Sequence, residues 1–493
     1  MRIYDAADFG AAIRQRRKSL HYTQVYVAEA TGLSVSFISD VERGKPTAEL
    51  DKVLSLANLL GLDCEMKARG EKMTYTVIIE KNGVSVPVGH IANSGFAYDN
   101  AYLDGEAARP ISVSLPLQKE AFSPQRTKCF FDGLLPEGFT RRTVAQWMHV
   151  SEDDYLSILA GLGKECLGAI QIVGEPDNTP AHYQKLTLPE VQALAAEGAT
   201  QSAKLVTESH LSLTGASGKV GLYYDAANNA WYQPFGTAPS THIVKQSHVR
   251  LSGIVVNELL CLHTAKKCGI DVPDCFILDT GGVADENILF ATARYDRPFI
   301  AESRMIDGLP RPQRLHQEDF AQALGIPAAE KYEPTDGMYL KNAFALLKHR
   351  SANPLEDQLK LWDLTVFNFL IGNTDNHLKN LSLLYDASLA SVRLAPAYDV
   401  ISTTVYSGST RDLSMRIGDA VTVDDVSESS FRMAAREVGI GEKLAIKRFS
   451  AMAQQFESAL ASTAEELTGK GFTNATQLRE QILLTSGYRH IDK

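Results

Sequence analysis

Apolar residues in the first seventy positions recur at helical spacing. Phe9, Ile13 and Leu20 mark a first helix, and Thr23 is placed to cap a second running from about Gln24 to Ala30. Gly32 supplies a turn, Ser34 caps a third helix reaching about Glu42, and Leu50–Leu60 is one more amphipathic helix. The stretch Leu62–Ala68 alternates apolar and polar residues and reads as a short strand, followed by a brief joint at Arg69–Met73. The pattern then changes. Tyr75–His90 alternates on either side of Asn82-Gly83, a pair that favours a tight hairpin. Helical spacing covers about Glu137 to Leu162, and the polar, proline-bearing segment at Thr179-Pro180 marks a subdomain joint. Thr241–Lys245 and Leu289–Asp296 read as strands. Leu361–Ile371 reads as a buried helix, with two short strands, Leu381–Tyr385 and Val392–Leu394, after it. The expected architecture is a multidomain α+β protein. An all-α domain at 1–70 precedes a mixed region at 71–180, a second mixed region at 181–300 and a mainly helical region at 301–493.

At 493 residues the chain is long enough for two to four domains. Met1–Asp8 contains no apolar leader core, and no uninterrupted apolar stretch approaches a membrane span, so a cytoplasmic protein without a membrane partner is expected. The six cysteines (Cys64, Cys129, Cys166, Cys261, Cys268, Cys275) lack paired metal-ligand spacing and read as reduced thiols. The formal charge of −10 is unevenly spread: residues 1–70 hold ten Lys or Arg against nine Asp or Glu, leaving −11 on the remainder. The positive charge concentrates at Arg14–Lys18 and at Arg43-Gly44-Lys45, which points to a local phosphate-facing surface.

The string Thr23-Gln24-x-x-Val27-Ala28-x-x-Thr31-Gly32-Leu33-Ser34-x-x-x-Ile38-Ser39-x-x-Glu42 is a helix-turn-helix, and it resembles the antitoxin-type, phage-repressor-like DNA-binding domains. The docking geometry of such motifs sends Ser34, Val35, Ser36, Phe37 and Ser39 toward the major groove. Gln24, Arg43 and the basic cluster with Arg16 and Arg17 would approach phosphates. Asp40 on the same helix sits awkwardly for a DNA-facing position. Domains of this type act as homodimers on palindromic operator DNA.

The chemistry is concentrated further along. In Ile371-Gly-Asn-Thr-Asp375-Asn-His377-Leu-Lys379-Asn380 and Ala397-Tyr398-Asp399, an Asp is followed five residues later by an Asn, and nineteen beyond that by a second Asp. Phosphoryl transfer needs such a set: one carboxylate to take or orient the attacking hydroxyl, and an amide and a carboxylate to hold the magnesium bridging ATP phosphates. Asp375 is thus the candidate base, with Asn380 and Asp399 as metal ligands and His377 and Lys379 as supporting residues. Lys245 ends an apolar strand, where a buried ammonium needs an anionic partner, either phosphate or Glu258. Glycines at 215, 218 and 221 mark a hairpin whose tip, Gly215-Ala216-Ser217-Gly218-Lys219, could approach phosphates closely; a plain glycine turn fits as well. Main-chain groups near Ala293 and Tyr295 are candidates for an adenine-contacting hinge.

Together Gly372-x-Thr374-Asp375-x-His377-x-Lys379-Asn380 and Tyr398-Asp399 resemble the HipA-type serine/threonine kinases, the toxin halves of bacterial toxin–antitoxin pairs. So do Phe131–Gly138, Ser212–Lys219, Thr241–Lys245, Ala293–Arg297 and Arg314–Phe320, and the resemblance covers nearly everything after about residue 72. It implies a two-lobed kinase fold, ATP and Mg2+, an autophosphorylated serine at Ser212, and a protein substrate of the aminoacyl-tRNA synthetase class. In the resembled systems toxin and antitoxin are separate chains, so this sequence reads as a fusion of both. Two alternatives stand beside it: a transcriptional regulator whose kinase half only senses nucleotide, and a small-molecule kinase.

Overall fold

Two bodies with separate cores make up the chain, residues 1–73 and 74–493. The computed structural model describes residues 3, 5–62, 74–163, 165–174, 180–197, 219–246, 251–282 and 284–491. The expected strand at Leu62–Ala68, the joints at 69–73 and Thr179, the glycine tip Gly215–Gly218, Ser212 and Cys64 lie wholly or largely outside these residues.

The amino-terminal body comprises α1 (Ala6–Ser19), α2 (Gln24–Thr31), α3 (Val35–Glu42) and α4 (Leu50–Leu59) around Ile13, Val27, Ile38, Val41 and Leu56. Its caps are those expected: Thr23 accepts from the Tyr26 N–H at 3.0 Å and Ser34 from the Phe37 N–H at 3.1 Å. Gly32 ends α2 in the left-handed region at φ +70°, which a Cβ would disfavour.

The second body opens with β1 (Tyr75–Lys81) and β2 (Val84–Ala92), turning at Asn82-Gly83 with both φ values positive, as a type I′ turn requires. With β3 (Gly95–Tyr98) and β4 (Ile170–Val173) they form a sheet in the order β3-β2-β1-β4. Between β3 and β4 come α5 (Asn100–Leu103), α6 (Pro124–Phe131), α7 (Gly138–Trp147) and α8 (Tyr155–Leu162). The helical run expected from Glu137 to Leu162 is therefore two helices. His149 turns the chain at φ +53° and Asp154 caps α8 by accepting from the Ser157 N–H.

Next come β5 (His182–Leu186), α9 (Leu188–Glu197), β6 (Lys219–Asp225), β7 (Ala230–Phe235), β8 (His242–Gln246), α10 (Ile254–Lys267), β9 (Cys275–Asp279) and β10 (Ile288–Ala293). The six strands pair in the order β5-β7-β6-β8-β10-β9, and α10 packs on β9 and β10. The remainder has three small sheets: β11 (Met305–Ile306) with β12 (Leu309–Pro310); β13 (Gln317–Asp319), β14 (Ser382–Tyr385) and β15 (Val392–Leu394); and β16 (Asp412–Ile417) with β17 (Ala420–Thr422). Its helices are α11 (Phe320–Leu324), α12 (Tyr339–Arg350), α13 (Pro354–Ile371), α14 (Glu428–Val438), α15 (Glu442–Gly469) and α16 (Asn474–Thr485). Among the described residues no helix is long and apolar enough to cross a membrane.

Buried charge joins the first region of this body to the rest. Glu165 lies among Arg294, Arg297 and Arg314, all almost fully buried, and Asp296 accepts from Arg294 and Arg297. Glu80 on β1 pairs with Arg311. A buried ion costs several kcal/mol to desolvate unless it is paired, so these contacts fix which surfaces meet. Glu318 on β13 differs. Its hydrogen bonds come from Ser112 Oγ, the Val113 N–H and Tyr385 Oη, no cation among them, and burial pushes its carboxyl up to about 7.

The fold thus stabilises the neutral form of Glu318. That contribution is complete below its ordinary value of 4.5 and is lost as pH rises through about 7. Glu318→Gln keeps the shape without the titration. Its stability relative to wild type should rise by roughly 1.4 kcal/mol per pH unit between about 4.5 and 7 and level off above that, measured by urea unfolding across that range; a parallel pH dependence in both proteins would refute the assignment.

Candidate active site and nucleic-acid interface

The helix α13 delivers the catalytic candidates. Gly372 ends it at φ +69°, where a Cβ would stand 2.2 Å from Thr404 Oγ1 and 3.0 Å from Ser486 Cα, so only glycine lets the chain turn there. The loop that follows is held at each residue. Asn373 Oδ1 accepts from the Asp375 N–H at 3.1 Å, Thr374 Oγ1 meets Thr403 Oγ1 at 2.7 Å, and Ser414 N–H donates to the Thr374 carbonyl at 3.1 Å. Asn380 Nδ2 donates to the Asp375 carbonyl at 2.8 Å, which leaves Oδ1 as its acceptor. Tyr398 Oη donates to the Lys379 carbonyl at 2.8 Å and so brings the Asp399 segment against the loop. Asp399 itself is in the left-handed region, φ +52°, a conformation Asp tolerates better than most residues.

Asp399 faces a cleft with about 660 Å³ of empty space, counting its mouth, under the six-stranded sheet. At one end Lys245 Nζ donates to Glu258 Oε1 at 2.6 Å and to Asp399 Oδ1, while Lys219 Nζ donates to Asp399 Oδ2 at 2.9 Å. Burial alone would lower the Lys245 ammonium; the Asp399 and Glu258 carboxylates reverse this and raise it. Asp399 is opposed by burial in the same way, yet the two lysines hold it well below the usual carboxylate range. Glu258 is raised, chiefly by burial, with Asp399 adding to the shift. The other end is walled by Leu167, Ile243, Leu262, Pro273 and the main chain at Thr292–Tyr295. Thr292 Oγ1, which is buried, has no hydrogen-bond partner there among the described residues. Of the main-chain groups near Ala293 and Tyr295, the Ala293 N–H is given to the Asp274 carbonyl at 2.8 Å. Tyr295 lines the cleft, and its hydroxyl donates to Gln317.

Burial raises the Asp375 carboxyl; Tyr332, whose Oη donates to Asp375 Oδ1 at 2.9 Å, and Lys331 oppose that rise. The two supporting residues are placed differently. Lys379 is buried, with Nζ on the Gly133 carbonyl at 3.1 Å, Asp319 Oδ2 at 2.9 Å and Glu137 Oε1 at 3.4 Å; it ties the loop to the first region of this body instead of facing the cleft. His377 is buried and lowered to about 3 by burial and by Lys331, so near neutrality it has no positive charge to offer a phosphate. Tyr332 carried no signal in the sequence that singled it out, while Glu137 and Asp319 lay within the strings Phe131–Gly138 and Arg314–Phe320 with no role assigned to them.

On the helix-turn-helix body, Ser34, Val35 and Ser36 are exposed at the start of α3, while Phe37 and Ser39 are half-buried, Phe37 against the core. Asp40 is accommodated by Arg43 at 2.6 Å and Lys45 at 2.8 Å. Arg17 corrects the sequence reading. Its guanidinium grips Glu42 with both arms, at 2.9 Å on one, and donates to the Tyr22 carbonyl at 2.7 Å. Gln24 turns inward to the same Glu42 at 2.8 Å. These two are structural, whereas Arg16 and Arg43 remain exposed. Val25 and Tyr26, each 54% exposed, form a patch that helical periodicity alone did not single out.

Three family models match in order: helix-turn-helix over residues 13–66, HipA N-terminal domain over 84–173 and HipA-like C-terminal domain over 211–460. The chain belongs to the HipA family and carries a helix-turn-helix domain ahead of it. The protein Y4mE of Sinorhizobium fredii is 35% identical over 76% of this chain and 87% of its own length. The serine/threonine-protein kinase toxin HipA of Shewanella oneidensis is 27% identical over 71% of this chain and 80% of its own. The first residues match another S. fredii protein, the uncharacterized HTH-type transcriptional regulator y4mF, 41% identical over 14% of this chain and 93% of that protein. A solved complex of Shewanella oneidensis HipA, HipB and operator DNA contains a chain of the same fold, with a TM-score of 0.68 and 22% identity over 84% of this chain and 97% of that one.

Breaking a buried pair leaves an uncompensated charge, so Arg17→Ala should destabilise the amino-terminal body by roughly 3 kcal/mol. Arg16→Ala, which removes only a hydrogen bond from Nε to the Leu60 carbonyl at 3.0 Å, should cost about 1 kcal/mol. Thermal unfolding by circular dichroism separates the two, and equal, small effects would refute the buried role of Arg17.

Proposed function

We propose that the chain is an ATP- and magnesium-dependent protein serine/threonine kinase fused to its own operator-binding domain. The observation carrying this reading is the convergence of Lys219, Lys245, Glu258 and Asp399 at the charged end of an apolar-walled cleft, beside the loop bearing Asp375 and Asn380. The donor set fits a nucleotide. Two ammonium groups suit phosphates, the apolar walls suit a base, and the orphaned Thr292 hydroxyl offers a polar contact. Asn380 Oδ1 and Asp399 would hold magnesium as a partial oxygen set, the kind this ion completes with substrate phosphates and water; when bound, the ion would neutralise charge on the phosphates. Asp375 orients a serine or threonine hydroxyl and takes its proton as the new O–P bond forms and the bond to ADP breaks. Lys245 contacts phosphate, with Glu258 keeping it in place.

The amino-terminal body supplies an exposed α3 start for base edges and Arg16 and Arg43 for backbone phosphates. As a dimer it would bind a palindrome near its own gene. The kinase would act on a protein, slow growth, and be restrained by the tethered domain or by phosphorylation of Ser212.

Purified protein incubated with radiolabelled ATP tests the activity. Asp375→Ala should lower autophosphorylation by about 10²–10⁴-fold with ATP affinity nearly unchanged, whereas Asp399→Ala should weaken both rate and magnesium-dependent ATP binding. No incorporation by wild type, alone or in a lysate, would overturn the kinase reading. Removal of residues 1–70 should raise toxicity at matched expression, because the short tether holds the restraining domain at high effective concentration. Equal growth curves for the truncated and full-length proteins would count against that restraint.

A further inference from the structure

Tyr332 stands outside every motif above, on the loop between Ala328–Glu330 and α12, yet its hydroxyl reaches the proposed base. Its Oη donates to Asp375 Oδ1 at 2.9 Å, and the residue is 49% exposed. The ring is fixed from several directions. It meets the His377 ring edge-on with centroids 5.1 Å apart, and Lys331 Nζ lies 5.3 Å from its centroid. Lys331 is itself anchored on Glu137 at 2.7 Å. Next in the chain, Glu333 donates its N–H to the Ser414 carbonyl at 2.9 Å and accepts from the Arg416 N–H at 2.6 Å. The same segment that locks Thr374 therefore also locks the loop carrying Tyr332.

We propose that Tyr332 is a positioning residue for phosphoryl transfer: its phenol pins Oδ1 of Asp375 so that Oδ2 is presented to the acceptor hydroxyl. This rests on the reading of Asp375 as the base. A carboxylate on a short side chain can rotate between several hydrogen-bonding arrangements, and a neutral donor selects one without supplying a competing positive charge. Lys331 would be the alternative donor, but its ammonium is committed to Glu137. The exposed face of the ring makes one wall of the place an incoming serine or threonine must occupy, so the acceptor hydroxyl arrives beside the phenol.

The test compares the full-length protein with Tyr332→Phe in single-turnover autophosphorylation with radiolabelled ATP, alongside binding of a fluorescent ATP analogue and thermal unfolding. The expected result is about a tenfold lower rate at saturating ATP, with the half-saturating ATP concentration and the melting temperature both held. In an Asp375→Ala background, where there is no carboxylate to orient, the same substitution should change the residual rate by less than about twofold. A wild-type rate for Tyr332→Phe, or an equal loss in both backgrounds, would overturn the proposal. A wild-type rate for Asp375→Ala would instead show that the base assignment itself fails.

Discussion

Where β8 ends, the Lys245 ammonium lies between carboxylates from two distant parts of the chain, Glu258 of α10 and Asp399 of the carboxy-terminal region, with Lys219 completing the group from β6. Two positive and two negative charges close on one another in a site where isolated ions would be expensive. The cluster binds the six-stranded sheet, its packed helix and the loop-bearing region together across the cleft. Under the proposed kinase reading, nucleotide phosphates would take over the ammonium groups and a metal would take over Asp399, and Glu258 would remain as the partner of Lys245.

The same rule, that a buried charge must find its partner, explains how the regions of the second body are joined. Lys379 is drawn into Asp319, Glu137 and the Gly133 carbonyl. Glu165 gathers Arg294, Arg297 and Arg314 beside the cleft. Apolar packing alone would let these surfaces slide over one another. Several charge-assisted hydrogen bonds at fixed angles admit one arrangement.

Features settled by near neighbours were legible in the sequence. The caps at Thr23 and Ser34, the Asn82-Gly83 turn, and the order helix, loop, strand, turn, strand around Asp375 depend on contacts a few residues apart. The set Asp375, Asn380, Asp399 was legible because chemistry restricts residue type and order. What escaped depends on distant pairing. Arg17 looks like part of a basic surface cluster until Glu42, 25 residues away, is seen to claim it. Lys379 reads as a support for either the loop or a phosphate, and the choice is made by Asp319, 60 residues back. Tyr332 and Asp375 are 43 apart, with no pattern around Tyr332 to draw attention to it.

These long-range contacts bear on why the first region, residues 74–174, accompanies the kinase-like part at all. Gly133 and Glu137 reach Lys379 inside the loop, Glu137 also holds Lys331, and Lys331 precedes the tyrosine that touches Asp375. Leu167 of the same region lines the cleft, and Glu165 pairs with Arg294, which lines it too. A region touching both the loop and the cleft wall is part of the site's support and not an appendage. Its removal would take Glu137 from Lys379 and Glu165 from three buried arginines; Lys379 would keep Asp319 and Arg294 and Arg297 would keep Asp296, but Arg314 would be left without a carboxylate. Because an uncompensated buried charge costs several kcal/mol against a total stability of about 5–15 kcal/mol, the carboxy-terminal part depends on this region for its stability.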